Sequence, residues 1–175
     1  DKDGQNVLFN AILQGAKNLP LIELLIKKGI NLNIVDNYHK NLIDEILYVF
    51  DLKKNPPKEL DGKYKIVTEE KEYLPLGFLF LEHGLEIDKI DESGKTILQK
   101  AVENKNFANA EFLLNCGADV NICDEFEKNI VHKEILKGYS NYKMIDFLVS
   151  HGANIDARDL DEKGIVDDII EKFVL

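Results

Sequence analysis

The sequence predicts an all-α repeat solenoid, short helix-turn-helix units stacked in a single array. Three observations carry that expectation. Four stretches rich in Leu, Ile and Phe end on a glycine and then alternate apolar residues with Asn or acid: Gly29-Ile-Asn-Leu-Asn33, Gly84-Leu-Glu-Ile-Asp88, Gly117-Ala-Asp-Val-Asn121 and Gly152-Ala-Asn-Ile-Asp156. An aspartate follows each at the same distance, namely Asp36, Asp91, Asp124 and Asp159, in steps of 55, 33 and 35 residues. Beyond each aspartate lies an amphipathic stretch with apolar residues at helical spacing. A period near 33 with one step of 55 is a repeat array carrying a single insertion.

Each unit opens on a first helix, predicted at Val7 to Leu13, Leu42 to Phe50, Ile97 to Val102, Ile130 to Leu136 and Ile165 to Val174. A second helix ends at Gly29, Gly84, Gly117 or Gly152. There the chain must turn left-handed to leave the helix, which only glycine does without a Cβ penalty. The alternating segment that follows has a strand-like period of two, and its Asn or Asp turns the chain back. No unit can bury its apolar face alone, so neighbours must stack. The expected organisation is one domain, 1–175, with repeats at about 1–35, 36–90, 91–123 and 124–158 and a terminal half-repeat at 159–175. In the half-repeat, Ile165, Val166, Ile169, Ile170 and Phe173 are expected to pack on the fourth repeat. Asp167, Asp168, Glu171 and Lys172 would then form a polar outer cap.

The pattern resembles the ankyrin repeat family, whose units run Asp-x-x-Gly-x-Thr-Pro-Leu-His and end Leu-Leu-x-x-Gly-Ala-Asp-Val-Asn. The third unit matches best, with Asp91-Glu-Ser-Gly94-Lys-Thr96-Ile97-Leu98 and Leu113-Leu114-Asn-Cys-Gly117-Ala118-Asp119-Val120-Asn121. The first keeps Asp1, Gly4 and Leu8; the fourth keeps Asp124 and His132. Thr-Pro is missing throughout. Asn6, Asn41 and Asn129 stand at the Thr position, and Val7, Leu42, Ile97 and Ile130 at the Pro position. Asparagine can still make the local bond that opens the helix.

The long step is located by two prolines. Pro20 and Pro75 each lie nine residues before the helix-ending glycine, so the second helices align and the extra residues fall at about 51–73. This insertion holds Pro56-Pro57, a turn at Asp61-Gly62 and a short strand expected at Tyr64 to Thr68. A solvated surface loop, the least regular part of the chain, is expected there, the alternative being an added contact arm.

Composition narrows the function. Hydrophobic residues make up 45% and charged residues 31%, enough for a packed core. The formal net charge is −10, which repels phosphate backbones and anionic lipids, so neither nucleic acid nor membrane is expected as a partner. The longest apolar run, Phe78-Leu79-Phe80-Leu81, is far below the ~20 residues of a membrane span. Two cysteines, Cys116 and Cys123, are too few for a disulfide scaffold and lack zinc-ligand company. His83 and His151 precede helix-ending glycines, where histidine favours a helix C-terminus. His132 takes the family's structural histidine position and His39 replaces a loop glycine. No phosphate-binding loop, metalloprotease motif or nucleophile elbow occurs. No catalytic residue, metal or cofactor is assigned, and the chain is not expected to be an enzyme.

What the resemblance implies is a protein partner held on a concave surface of hairpin loops and outward first-helix positions. The loop candidates are Asn37, Tyr38 and Lys40, then Glu92, Ser93 and Lys95, Glu125, Phe126 and Lys128, and Leu160, Asp161 and Lys163. On the first helices they are Leu13, Gln14, Tyr48, Val49, Glu103, Asn104, Leu136 and Lys137. Aromatic groups at a loop tip suit anchors. A monomer acting as an interaction module is expected. The alternatives are a bacterial or viral accessory that sequesters one protein, or the regulatory region of a larger enzyme. The chain opens Asp-Lys-Asp-Gly, without initiator Met or signal sequence. It reads as a trimmed start with further protein upstream, and the compartment, cytoplasm by default, stays unassigned.

Overall fold

The computed structural model describes residues 2–15, 18–54, 73–138 and 141–173. The chain divides into two compact units, Asp1–Ile87 and Asp88–Leu175. The first holds helices α1 (Val7–Leu13), α2 (Leu19–Lys27), α3 (Leu42–Lys54) and α4 (Tyr73–Glu82). The second holds α5 (Ile97–Glu103), α6 (Phe107–Asn115), α7 (Ile130–Leu136), α8 (Tyr142–Ser150) and α9 (Ile165–Phe173). Odd-numbered helices are first helices of repeats; α2, α4, α6 and α8 are second helices. No strand occurs among the described residues, only an antiparallel bridge between Arg158 and Gly164.

Asparagine opens the first helices without help from proline. Asn6 Oδ1 accepts the N–H of Leu8 at 2.9 Å, and Asn129 Oδ1 accepts those of Val131 and His132 at 3.0 and 3.1 Å. Asn41 Oδ1 takes the N–H groups of Ile43 and Asp44, while Asp44 Oδ2 accepts from the Asn41 N–H. Thr96 and Gln99 form the same reciprocal box in α5. Asparagine also uses its amide: Asn6 Nδ2 donates to the Asn31 carbonyl at 3.1 Å and Asn129 Nδ2 to the Asn154 carbonyl at 2.7 Å. The cap therefore ties the start of a repeat to its own exit segment.

Second helices all stop in one way. At Gly117 (φ 91°) the glycine N–H bonds the Leu114 carbonyl and the Ala118 N–H reaches back to Leu113. The same pair of bonds closes α2 at Gly29, α4 at Gly84 and α8 at Gly152. These two bonds satisfy carbonyls that the helix end would otherwise leave open. Leu113 and Ala118 are both buried, so the turn also plugs the core.

Within the first unit α1 packs on α2 and α3, and α3 on α4; within the second α5 packs on α6, and α7 on α8 and α9. Leu8, Phe9, Ile12, Ile22, Ile43, Ile46 and Phe80 are fully or almost fully buried in the first. Leu98, Val102, Leu113, Val131 and Leu148 are so in the second. Each such side chain contributes roughly 1.5–3 kcal/mol.

Three expectations require correction. Helix α3 continues past Phe50 to Lys54, because nothing in Asp51-Leu-Lys-Lys54 breaks a helix before the residue preceding Pro56 is reached. Tyr73, at the far edge of the predicted insertion, already belongs to α4. The turn at Asp61-Gly62, the strand at Tyr64 to Thr68 and the irregular loop lie outside the described residues. The third correction concerns α9. Ile165 is buried, but Val166 is 66% exposed and Ile170 46% exposed. The equivalent pairs are Leu8 and Ile12, Ile43 and Leu47, and Leu98 and Val102, all buried where the repeat's own second helix covers them. Among the described residues α9 has no such companion, so one apolar stripe meets α7 and the next stays bare.

Among the described residues four non-glycines adopt left-handed backbone: His39, Lys105, Glu127 and Glu162, with φ between 55 and 60°. His39, Glu127 and Glu162 occupy the loop position filled by Gly4 and Gly94 in the other repeats. A left-handed L-residue costs roughly 1–2 kcal/mol, offset in part by about 0.4–1 kcal/mol from a less floppy unfolded chain. Replacing any of the three by Gly is therefore expected to raise stability by up to about 1 kcal/mol. No atom lies within 4 Å of a Cβ built on Gly117, so Gly117→Ala meets only the backbone penalty, less the same offset, and should lose about 1 kcal/mol. Urea unfolding of the variants checks both signs; a neutral Gly117→Ala would contradict the role of this turn.

Candidate functional site

The loops that could meet a partner are organised around their aspartates. In the second repeat Asp36 Oδ1 accepts the N–H groups of Tyr38 (2.8 Å) and Lys40 (2.9 Å). Its own N–H bonds the Lys40 carbonyl, and its carbonyl accepts from His39. Asp91, Asp124 and Asp159 repeat the arrangement with residues two and four positions on. Each tip is a closed five-residue turn with a carboxylate at its centre. The second oxygen has its own donor: Gln5 for Asp36, Lys100 for Asp91, Lys133 for Asp124 and Lys128 for Asp159, at 3.0 to 3.2 Å.

These bonds set the titration. Burial works against the charge on each of the four, but the hydrogen bonds and the lysines outweigh it. The carboxyls of Asp36, Asp124 and Asp159 are held below the ordinary range, and that of Asp91 far below it. Glu45 goes the other way. It stands where Lys100 and Lys133 stand in later repeats, so it is buried facing Asp36. Burial raises its pKa; Lys40 opposes the rise, and Asp36 and Asp44 add to it.

Neighbouring turns are joined by their ends. The Asn37 N–H bonds the Asp3 carbonyl at 2.8 Å, and the Leu160 N–H bonds the Phe126 carbonyl at 3.2 Å. On the opposite side of each turn, the last residue of the alternating segment bridges to the next helix-ending glycine. Asn33 donates to the Gly84 carbonyl and accepts from the Glu86 N–H; Asn121 does the same with Gly152 and Asn154. Asp88 keeps only the accepting half, from the Asp119 N–H at 3.0 Å. Its pKa is raised by burial, against the pull of that N–H and with the push of the Asp119 charge.

The predicted contact residues fall in both units. In the first, Tyr38 is 66% exposed at its loop tip, and the Lys40 ammonium lies 5.3 Å from the centre of the exposed Tyr48 ring. Val49 is 4% exposed and belongs to the core, which corrects its assignment to the outward row. In the second, Glu92, Lys95 and Glu125 line one open cleft of about 670 Å³, with Ile90, Ser93, Gly94, Cys123, Asp124 and Lys133. Phe126 and Leu160 are 58% and 59% exposed on adjacent turns. The loop lysines are engaged inside the chain. Lys95 pairs with Glu103 at 2.7 Å, Lys163 with Glu171 at 2.7 Å, and Lys128 with the buried Asp159 at 3.2 Å.

Sequence reasoning missed Ile90, Cys123 and Lys133. The signal was there: Val35, Ile90 and Cys123 each stand immediately before a loop aspartate, and all three are exposed. The histidines with described bonds serve helix ends and caps. His83 and His151 donate through Nδ1 to the carbonyls of Leu79 and Phe147, and the buried His132 donates to Asn129 Oδ1. Among the described residues no cluster of His, Cys, Asp and Glu could hold a metal ion. None of their helices is long and apolar enough to cross a membrane.

Paired helices, glycine-closed ends and carboxylate-centred turns, recurring at a fixed period, define a helical repeat protein that presents its loops. A family model described as ankyrin repeats, three copies, matches residues 70–159, and the chain belongs to the ankyrin repeat family. Ankyrin repeats are protein–protein interaction modules, typically without enzymatic activity.

Two expectations follow from the electrostatics. The loop aspartates bind fewer protons folded than unfolded, so their contribution is present above about pH 4 and lost as pH falls through the folded values. Asp88 has the opposite sign: its burial costs stability above its raised pKa and is relieved in acid. Asp88→Asn supplies the amide that Asn33 and Asn121 carry, and is expected to gain about 1 kcal/mol at pH 7. That gain should shrink toward pH 3, as Asp88 itself becomes protonated. Denaturant titrations of both proteins at pH 7 and pH 3 measure it; a loss of stability at pH 7 would refute the bridging role.

Proposed function

We propose that the chain is a monomeric protein-binding module without catalysis or cofactor of its own, whose contacts are made by the loop tips and the outward first-helix positions. Tyr38 and Tyr48 serve in the first unit, with Lys40 beside them. Phe126 and Leu160 serve in the second, with Glu92, Lys95, Glu125 and Lys128 around them. One observation carries the reading. The turns are closed by aspartate carboxylates and backbone alone, yet Tyr38, Phe126 and Leu160 stand more than half exposed upon them. Rigid aromatic side chains bury much area for little lost entropy, so they suit anchors. The net charge of −10 disfavours a nucleic-acid partner.

The test is affinity isolation with the full chain as bait, followed by quantitative binding of the recovered partner to Tyr38→Ala and Phe126→Ala. Both variants should melt within a few degrees of the parent, since neither side chain is buried. Affinity should fall by about 2 kcal/mol at an anchor, roughly thirtyfold. Unchanged affinity in both, with loss on mutating the second helices instead, would move the site to the other face.

A further inference from the structure

Charge decides what kind of surface the second unit can receive. Its loop edge carries apolar groups at three places, Ile90 over the cleft and Phe126 and Leu160 on the hydrogen-bonded turns beyond it. Around Phe126 and Leu160 the lysines of the turns and first helices are paired within the chain, and the exposed Lys89 lies away from them beside Ile90. Lys95 is held by Glu103, Lys100 by Asp91, Lys128 by Asp159, Lys133 by Asp124 and Lys163 by Glu171. The Arg158 guanidinium donates to the Glu162 carbonyl. The acids between them are not spent: Glu125, Glu127, Asp161 and Glu162 are exposed and take part in no ion pair with a described residue. Two of them, Glu127 and Glu162, sit on left-handed backbone, which turns them out at the tips flanking Phe126 and Leu160. The edge is thus an apolar strip whose margin is net negative, the Arg158 charge and the Lys163 ammonium near Asp161 offsetting only part of it.

We propose that this edge docks a basic protein segment, one that lays an apolar side chain against Phe126 and Leu160 and sets lysines or arginines against Glu125, Glu127, Asp161 and Glu162. The inference rests on the loop-tip reading above and adds the chemistry of the partner. An acidic or neutral segment would leave those carboxylates facing like charge or nothing, while a basic one gains attraction in both encounter and docking. A second copy of this chain would bring a net charge of −10 to the same margin, which disfavours self-association.

Selection from a random dodecapeptide display library on the immobilised full chain tests this, with the consensus peptide then synthesised and titrated. The expected peptide carries Lys or Arg around one or two large apolar residues. Its binding should weaken at least tenfold in Phe126→Ala/Leu160→Ala and at least tenfold in Glu125→Gln/Glu127→Gln/Asp161→Asn/Glu162→Gln. Both variants must keep the parent's helical circular dichroism and melting point, as exposed positions should. Coupling a bulky maleimide to Cys123, the exposed thiol on the cleft wall, should lower the affinity too. A peptide that depends on Phe126 and Leu160 but ignores the neutralised acids overturns the basic partner and leaves the loop-tip reading standing. Dependence on the acids alone shows unspecific counter-charge attraction and overturns the proposal. So does failure to select any peptide that depends on Phe126. A concentration-dependent dimer in sedimentation, abolished by Phe126→Ala/Leu160→Ala, would name a second copy as the occupant instead.

Discussion

A single carboxylate oxygen holds each loop together. Asp36, Asp91, Asp124 and Asp159 each collect two backbone N–H groups that a sharp turn would otherwise leave to water. Because the turn is satisfied from its centre, it does not need the side chains of Tyr38, Phe126 or Leu160, although Asn37 and Ser93 at other rim positions add bonds of their own. That is why these positions can hold a large exposed group such as Tyr38, Phe126 or Leu160 without loss of the turn. Rigidity comes from the same source. A tip closed by its own carboxylate and bonded to the next tip loses little further entropy when a partner arrives.

The charges show a division of labour that net charge alone conceals. Lysines are placed to neutralise the structural acids, Asp91, Asp124 and Asp159 above all, and long-chain ion pairs such as Lys95 with Glu103 brace a loop against its own helix. Exposed pairs of this kind contribute little to stability individually. Their larger effect is subtraction: they remove the positive charges from the loop edge and leave the excess negative. The second repeat departs from this scheme, since Glu45 replaces the lysine and Gln5 of the preceding repeat must serve Asp36 instead. The first unit therefore carries a local electrostatic strain at Glu45, as the second does at Asp88 beside Asp119.

Much of the fold was legible in the sequence, and the legible parts share a cause. Glycines at helix ends and aspartates at turns work through backbone geometry, which is local and repeats with the period. Helices α1 and α7 fall on the residues expected of them, and α5 is longer by one. What escaped depends on neighbours. Val49 looks outward by repeat register but is buried, and Val166 and Ile170 look like core and are bare, because burial is decided by which helix lies alongside. The loop lysines appeared as contact residues because an ion pair eight residues away, such as Lys95 with Glu103 or Lys163 with Glu171, has no signature until both ends are placed. For the candidate site, exposure of Tyr38, Phe126 and Leu160 could be read from loop position. The exposure of Ile90 and Cys123 was legible in the same way, but that they wall one cleft was not, since a cleft needs two consecutive turns to exist.

The bare stripe on α9 has a mechanical meaning. A helix with a bare apolar stripe opens more readily than one with both stripes covered, and α9 has such a stripe next to the one packed on α7. Its first turn follows directly on the loop of Asp159, whose buried carboxylate anchors Lys128 of the preceding repeat and whose neighbour Leu160 bonds Phe126. Fraying of α9 would loosen Leu160 first and Phe126 next, softening the loop edge from one end like a zip. Anything that seats itself on Val166 and Ile170 would hold the zip closed, and so tune the stiffness of a surface it never touches.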